Sequence, residues 1–409
     1  MTSPPSLRSN RNYRLLWTGG AISALGSRAS ALAMPLLVLA LGGSAAQAGL
    51  VGFAATLPYL LVQLWAGVLV DRADGRILML ICDAGRLAGL ASVVATLLLS
   101  RPPLAQLIAV AFIEGVLTVL HDTAEEVAVR HVVPAEQLPE ALSGNEARMR
   151  GGQLLGQPIG GVLFGLTRWC PFAFDLFTYL VSIVSVALMR GRFRAVRTDP
   201  DGAADGQHHA KPLTEVREGI RWLWGQPFLR SATLAIAASN LMFQALTLVV
   251  IVVATRSGSS PSTVGLLFFG AGIGGVAGSL AAAKITRILS MKTVVVGTNW
   301  LWALLTPLIA IASGPILLGV IFAAMCIAGP VWNVSVAAYQ MQITPEHLLG
   351  RVNSAIGALA FGALPIGSLL AGLLLNSVGA KHATLALGGL MAVVALLVNL
   401  TPAIRNAPE

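Results

Sequence analysis

Charged residues are scarce in this 409-residue chain: they make up 11% of it, whereas soluble globular domains contain about 25%. The mean hydropathy is +0.77, and 56% of the residues are hydrophobic. Most apolar runs reach the length of about 20 residues that a helix needs to cross a bilayer. The sequence lacks the short alternating strands of a spanning β-barrel. We therefore predict an all-α integral membrane protein.

Cysteine is also rare. Cys82, Cys170 and Cys326 are an odd number and show no CxxC spacing, so we predict neither a disulfide nor a metal site. No GxxxxGK[ST] phosphate loop, HExxH motif or nucleophile elbow occurs in the sequence. These absences predict that the protein is not an enzyme and needs no cofactor. The absence of the phosphate loop also predicts that this chain does not bind ATP.

Hydropathy along the chain predicts twelve spanning helices. Their predicted ranges are 14–40, 46–70, 77–99, 103–127, 143–167, 171–190, 229–255, 262–287, 292–313, 315–340, 351–376 and 381–402. With the N-terminus in the cytoplasm, only four of the 27 Lys and Arg residues fall at the outer ends and loops: Arg101, Arg168, Arg256 and Lys381. By the positive-inside rule, this asymmetry predicts that both termini are cytoplasmic. The net charge of +9 then reflects topology and not a nucleic-acid partner.

A polar segment divides the predicted helices into two groups of six. It is rich in Pro, Gly, Asp and Arg, which is typical of a flexible linker. We predict an N-terminal six-helix bundle at 1–190, a cytoplasmic linker at 191–228 and a C-terminal six-helix bundle at 229–409. Within the linker, "LTEVREGIRWLW" has helical periodicity and is expected to lie on the membrane surface.

The two halves also resemble each other in sequence. "VVPAEQL", "SGNEA" and "LGQPIGG", read onward from Val132, recur as "ITPEHL", "RVNSA" and "ALPIGS" from Ile343. Internal repeats of this kind are typical of transporters in which one half moves against the other. The repeat therefore favours a transporter built from two related bundles.

Four motifs identify a family resemblance: "RNYRLLWTGGAISALGS", "GVLVDRADGR", "FDLFTYLVS" and "PEHLLGRVNS". The chain resembles the major facilitator superfamily, and within it the twelve-helix drug:proton antiporters that include enterobactin and macrolide exporters. The resemblance implies two pseudo-symmetric six-helix bundles in the bacterial inner membrane. It also implies a monomeric secondary-active exporter that exchanges protons for a hydrophobic or amphipathic small molecule by rocker-switch alternating access. A proton-coupled uptake symporter and a non-transporting membrane sensor are the alternatives.

The charged loop "GVLVDRADGR" matches a family motif that forms a cytoplasmic gate. The resemblance implies that Asp71 faces the N-terminus of the eleventh helix, where exposed N–H groups favour an anion. We expect Arg72 or Arg76 to pair with Asp122 across the loop. A solvated turn that only satisfies the positive-inside rule is the alternative. The candidate gate residues are Gly67, Asp71, Arg72, Gly75, Arg76, Asp83, Arg86 and Asp122.

Two ionisable residues fall near the middle of the predicted spans, where charge is costly and usually functional. Arg28 lies about 20 Å into the first helix and Glu114 about 16 Å into the fourth from the other side. We predict that Glu114 is the proton-coupling carboxylate and that Arg28 is its partner. A permanent ion pair that only bridges two helices is the alternative. Asp175, near the outer end of helix six, is a third candidate.

The fifth predicted helix carries "GGQLLGQPIGG", and the resemblance to antiporters gives it a role at the interface between halves. Its motif residues are Gly156, Pro158, Gly160 and Gly161. Polar and aromatic side chains in the seventh and tenth helices are candidates for the substrate cavity, or for simple helix pairing. These residues are Asn240, Gln244, Trp332, Asn333 and Tyr339.

Overall fold

The computed structural model describes residues 7–190, 212–312, 314–345 and 348–405, and this part of the chain is helical without a β-strand. The helices before the linker are α1 Arg11–Ala40, α2 Ala45–Leu61, α3 Gln63–Arg72, α4 Gly75–Leu99, α5 Leu104–Val132, α6 Leu138–Leu166 and α7 Cys170–Ala187. The later helices are α8 Pro212–Gly225, α9 Pro227–Arg256, α10 Pro261–Ile288, α11 Met291–Ile309, α12 Pro315–Ile343, α13 Leu349–Gly362, α14 Leu364–Ser377, α15 Gly379–Leu400 and α16 Pro402–Arg405.

Two of the predicted spans are interrupted. The second divides at Val62 into α2 and α3, and the eleventh divides at Ala363 into α13 and α14. Pro365 explains the second break, because it lacks the N–H that would continue the helical ladder. In the described residues, nine helical spans are long and apolar enough to cross a membrane, and Ala45–Leu61 is a shorter apolar helix. The exact number of twelve crossings stays a prediction.

Side-chain caps explain where several helices begin. Ser44 caps α2 in a reciprocal capping box with Gln47, and Ser260 accepts a hydrogen bond from the backbone N–H of Thr263 at the start of α10. Asp74 caps α4 by accepting from the Arg76 N–H at 3.0 Å. Asp74, inside the charged loop "GVLVDRADGR", therefore serves as the cap of α4.

The helices form two bundles that meet along two helix pairs. In the first half α1 packs against α6 and α7, and α4 packs against α5 and α7. In the second half α10 packs against α12, and α11 packs against α15. Across the two halves α2 packs against α14 and α6 packs against α10. This is the pseudo-symmetric pair of bundles that the sequence predicts.

Glycines permit close approaches between the halves. A Cβ on Gly49 would lie 2.7 Å from Gly372 Cα, and a Cβ on Gly161 would lie 2.8 Å from Gly265 Cα. Both contacts lie toward the side that carries the α1–α2 and α6–α7 loops, which we call the opposite face. The side with the start of α1 and the α3–α4 turn is the terminal face. In the second part of α3, near the terminal face, a Cβ on Gly67 would meet nothing within 4 Å.

Helix α8 lies at the terminal face and packs against α13 of the second half. Gly219 makes this contact, because a side chain there would collide with the backbone carbonyl oxygen of Arg351. Glu218 accepts a hydrogen bond from Arg351 at 2.5 Å. The predicted linker therefore contains an ordered helix that docks on the second bundle, while residues 191–211 lie outside the described part of the chain.

Candidate functional site

A group of polar side chains is buried inside the first bundle, between α1, α4, α5 and α7. Asp83, Arg86, His121, Asp175 and Tyr179 are each at most 5% exposed. Buried ionisable groups must be paired or hydrogen-bonded, since the desolvation of a single ion costs several kcal/mol. Their contacts therefore define the candidate site.

Glu114 lies next to Tyr179 at the centre of this group. The Tyr179 hydroxyl donates a hydrogen bond to Glu114 Oε1 at 2.8 Å and lies 3.1 Å from the Ser27 hydroxyl. Tyr179 is fully buried, so its hydroxyl has a fixed position beside the carboxyl group. The sequence analysis predicted Glu114 but did not identify the tyrosine, although Tyr179 lies in the quoted "FDLFTYLVS" motif.

Arg28 does not pair with Glu114 in the described structure, which corrects the predicted partnership. Its side chain is exposed, and its Cβ faces α6, where a Cβ on Gly156 would lie 2.5 Å away. A basic residue near Glu114 is instead Arg86 of α4, whose guanidinium carbon lies over the ring of Tyr179, the residue that binds Glu114. Arg28 lies about 26 Å along α1 instead of the predicted depth of about 20 Å, because the helix begins at Arg11.

Asp83 and Arg86 are buried residues and are not part of a surface gate, which corrects their predicted place. They lie about 12 Å and 16 Å into α4, at 1.5 Å per residue. Arg86 Nη1 donates to Asp83 Oδ1 at 3.1 Å, and the guanidinium carbon lies 4.5 Å from the centre of the Tyr179 ring. Ser182 donates to the other oxygen of Asp83 at 2.6 Å.

His121 links this buried pair to a more exposed carboxylate. Its Nε2 lies 3.4 Å from Asp83 Oδ1, and its Nδ1 lies 3.7 Å from Asp122 Oδ1. The Asp122 side chain is 62% exposed. Asp122 thus contacts a histidine of its own helix, and no ion pair between Asp122 and Arg72 or Arg76 is found among the described residues.

Asp175 is fully buried in α7 near the opposite face. Its Oδ1 accepts a hydrogen bond from Thr178 at 3.1 Å, while its Oδ2 has no hydrogen-bond partner in the described structure. Gly26 of α1 makes room for it, because a Cβ there would lie 2.5 Å from Asp175 Oδ1. The sequence analysis placed Asp175 near the outer end of helix six, and in the structure it is buried inside the first bundle near the start of α7.

The charged turn of the predicted gate holds helices of the first half together. Arg76 donates to the carbonyl oxygens of Val186 and Ala187 at 3.1 and 2.5 Å, at the C-terminal end of α7. Gly75 is the first residue of α4, and Arg72 is exposed at the end of α3. Asp71 belongs to α3, and its side chain lies outside the described part of the structure.

The glycine motif of α6 faces two different helices. Gly156 and Gly160 lie against α1 of the same half, where a Cβ on Gly160 would lie 2.5 Å from the Ala29 carbonyl oxygen. Gly161 and Pro158 face Gly265 of α10 in the other half. Pro158 and Gly161 therefore lie at the contact between the halves, whereas Gly156 and Gly160 pack inside the first half. A role of the motif in antiport stays a prediction.

The five cavity candidates do not form one open site. Asn240 donates to the Ala360 carbonyl oxygen at 3.0 Å and Gln244 donates to Ser368 Oγ at 2.9 Å, so both pair helices of the second half. Trp332 is 1% exposed, and Asn333 is exposed. Tyr339 packs edge-on against Phe228, with 4.8 Å between ring centres.

One buried pair was missed by the sequence analysis. Arg148 of α6 donates to Glu125 of α5, and both side chains are 9% exposed. His121, Asp122 and Glu125 also bring ligand-type atoms within 4.8 Å of one another. Because Glu125 is held by Arg148 and His121 lies against Asp83, we assign no metal to this group.

Several known proteins that are similar to this chain are named as efflux pumps. A family model described as transmembrane secretion effector matches residues 2–407. The multidrug efflux pump Tap of Mycolicibacterium fortuitum is 27% identical over 413 residues, covering 97% of this chain and 98% of the relative. Macrolide efflux protein A of Streptococcus pyogenes is 24% identical over 410 residues, covering 96% of each chain.

Solved transporter structures share the fold. A bacterial homologue of the human lysosomal transporter Spinster, inward-facing and unoccupied, matches with a TM-score of 0.73 at 13% identity, covering 98% of each chain. The nucleoside transporter NupG matches with a TM-score of 0.72 at 12% identity, covering 95% of this chain and 98% of its own. These matches confirm the resemblance inferred from the sequence motifs. The chain belongs to the transmembrane secretion effector family of the major facilitator superfamily, and it is a multi-pass bacterial membrane protein.

Proposed function

We propose that this protein is a proton-coupled exporter of hydrophobic or amphipathic organic compounds. Its relatives are named for multidrug and macrolide efflux, so macrolides and lipophilic cations are the first substrates to test. The proposed location is the inner membrane, with both termini in the cytoplasm. The N-terminal bundle would end at residue 190, and the C-terminal bundle would begin at 229.

The observation that carries this proposal is the carboxyl group of Glu114, placed deep in an apolar helix and held by a buried tyrosine. An acid at this depth is costly and marks a proton or ion pathway by default. In the proposed cycle, Glu114 takes a proton from outside and releases it to the cytoplasm as substrate leaves in the other direction. Asp175 is a second candidate carrier, since half of its carboxyl group has no partner in the described residues.

The close approach of the halves at the opposite face supports an inward-facing conformation. In a rocker-switch cycle that face would open when the terminal face closes around the central cavity. We propose that closure at the terminal face uses Gly67, Asp71 and Arg72, because α3 lies beside α8 and α13 there. Arg76, Asp83 and Arg86 are not included in this gate, because their contacts lie within the first half.

The experiment is proton-driven transport of ethidium and erythromycin in proteoliposomes with an imposed pH difference. Glu114→Gln is expected to lower gradient-driven transport about tenfold or more, because it removes the proton site. Glu126→Gln is the matched control on the same helix, because Glu126 pairs with Arg130 at the exposed surface. We expect Glu126→Gln to transport as the parent protein does.

The direction of flux separates export from the alternatives. Substrate moving against the proton gradient supports the exporter, whereas movement with protons would identify an uptake symporter. Glu114→Gln protein that folds, inserts and still transports at parental gradient-driven rates would exclude Glu114 as the proton carrier. A chain that moves neither probe under any gradient would favour the sensor.

A further inference from the structure

Arg86 lies between two carboxyl groups that belong to different helices. It forms an ion pair with Asp83 at 3.1 Å, and its Nη2 lies 3.4 Å from the Ser27 hydroxyl, on the path toward Glu114. Its guanidinium group covers the ring of Tyr179, whose hydroxyl donates to Glu114. Arg86 therefore contacts Asp83 directly, and it contacts the tyrosine whose hydroxyl binds Glu114.

Arg86 has N–H donors that its present contacts do not use, so it can form hydrogen bonds with a different partner. Its Nη2 reaches the Ser27 hydroxyl at 3.4 Å, and its buried Nε has no hydrogen-bond partner in the described structure. A guanidinium group has five N–H donors in a fixed fork, so Arg86 has donor capacity to spare. Ser27 also lies 3.1 Å from the Tyr179 hydroxyl, so it connects the two ends of the path.

Asp83 can release the arginine without losing every partner. Ser182 donates to its Oδ2 at 2.6 Å, and His121 Nε2 lies 3.4 Å from its Oδ1. Glu114 has a single hydrogen-bond donor among the described residues, the Tyr179 hydroxyl. A proton on Glu114 removes its need for a cation, whereas a bare carboxylate at this depth requires one.

We infer that Arg86 is the positioning residue that couples the protonation of Glu114 to the packing of the first bundle, by exchanging Asp83 for Glu114 as its partner. The inference rests on the proposed function. When the O–H bond of Glu114 breaks, a water molecule accepts its proton and carries it toward the cytoplasm. The carboxylate left behind draws Arg86 across the tyrosine ring, and Asp83 then relies on Ser182 and His121. Because the partners lie on α4, α5 and α7, the exchange alters how these helices pack.

Several other charged or titratable groups surround this exchange and are part of its electrostatic environment. They come from α1, α2, α5, α6 and α7: Arg28, Tyr59, His121, Asp122, Arg148 and Asp175. Among the described residues, Asp83 is the carboxylate that forms an ion pair with Arg86. Asp83 therefore remains the direct competitor of Glu114 for Arg86.

The test is an infrared pH titration of the purified full-length protein. The protonated-carboxyl band of Glu114 is identified by its loss in Glu114→Gln, and its midpoint is then measured in neighbouring variants. Asp83→Asn removes the competitor and gives Arg86 to Glu114, so the midpoint is expected to fall by about one pH unit or more. Arg86→Lys keeps the charge but loses the fork, so the midpoint is expected to rise by a similar amount.

Opposite shifts from two residues in direct contact would not result from a purely structural role. If Arg86→Lys does not fold, the fall expected for Asp83→Asn decides the role of Arg86. Tyr179→Phe keeps the ring and removes the hydroxyl bond to Glu114, so it measures separately what that bond contributes to the midpoint. Ser231→Ala, whose hydroxyl bonds only its own helix in the second half, is the control. Midpoints that stay within about 0.3 pH units in all variants would overturn the role of Arg86 alone. Absence of any Glu114 band would instead overturn the proposed proton site.

Discussion

At the scale of single residues, the role of a charge depends on the acceptors within its reach. Arg76 belongs to the loop motif that the sequence assigns to a gate, yet it donates to two carbonyl oxygens at the end of α7. Unpaired carbonyls and the negative end of the helix dipole make this position favourable for a cation. Arg76 therefore fastens α4 to α7 inside one bundle.

A double-mutant cycle tests this role of Arg76. We expect Arg76→Ala to lower the free energy of unfolding in detergent by about 1–2 kcal/mol, because two charge-assisted hydrogen bonds are lost. The same loss should appear in an Asp122→Ala background, with a coupling energy below about 0.5 kcal/mol. Arg72→Ala, at an exposed neighbour, should change stability by less than about 0.5 kcal/mol. A coupling energy above about 1 kcal/mol would instead show that Arg76 and Asp122 interact, as the predicted gate requires.

The sequence predicts how far along a helix a residue lies, but not which residue it contacts on another helix. The depth of Glu114 could be calculated because the rise per residue in a helix is fixed at about 1.5 Å. The basic residue beside Glu114 could not be predicted, because it depends on how α1 and α4 are rotated about their own axes. Arg28 and Arg86 both lie near mid-depth, and the packing of α1 against α6 turns Arg28 away from Glu114. The burial of Asp83 with Ser182 required the same information.

At the scale of elements, α8 attaches the linker to the second bundle. Two contacts hold it: the partly exposed ion pair Glu218–Arg351 and the close approach of Gly219 to the Arg351 backbone. Exposed ion pairs contribute about 0–1 kcal/mol because water screens them. A side chain at residue 219, by contrast, would prevent α8 from approaching the Arg351 backbone at all. Packing at Gly219 should therefore matter more than the charges.

Two variants separate these contributions. Gly219→Val is expected to release α8 from α13 and to raise hydrogen exchange in residues 217–225 by about tenfold or more, since the side chain collides with backbone. Glu218→Gln is expected to change exchange less than about threefold. The measurement is hydrogen exchange with mass spectrometry in detergent. Equal effects of both variants would show that the ion pair, and not the close packing, holds the helix.

Element positions were largely available from the sequence. The predicted first span, 14–40, is observed as Arg11–Ala40, and the predicted tenth, 315–340, as Pro315–Ile343. Hydropathy and proline positions set these limits. The break at Val62 was not predicted, because no residue type in "YLLVQLW" marks it. The helical periodicity of its sequence predicted that α8 is a helix. Its packing against α13 could not be predicted, because it depends on contacts between distant parts of the chain.

At the scale of the whole molecule, adjacent glycines of α6 separate stability from conformational change. A Cβ on Gly160 would meet Ala29 of α1 in the same bundle, and a Cβ on Gly161 would meet the Pro261 carbonyl oxygen of α10 in the other bundle at 2.5 Å. The first collision disturbs the fold of one half. The second opposes only the contact that closes the opposite face, and the clash disappears when the halves swing apart.

We therefore expect Gly160→Ala to lower the free energy of unfolding by about 1–3 kcal/mol without changing the distance between the halves. Gly161→Ala should leave the unfolding free energy of the bundles nearly unchanged and favour the state open at the opposite face. A clash of about 1.4 kcal/mol shifts such a two-state equilibrium about tenfold. Spin labels at Arg168→Cys and Arg256→Cys, in a background without the native cysteines, report the separation at that face. Unchanged label distances in Gly161→Ala, together with lost stability, would mean that α6 and α10 form a fixed joint and that the halves do not rock about it.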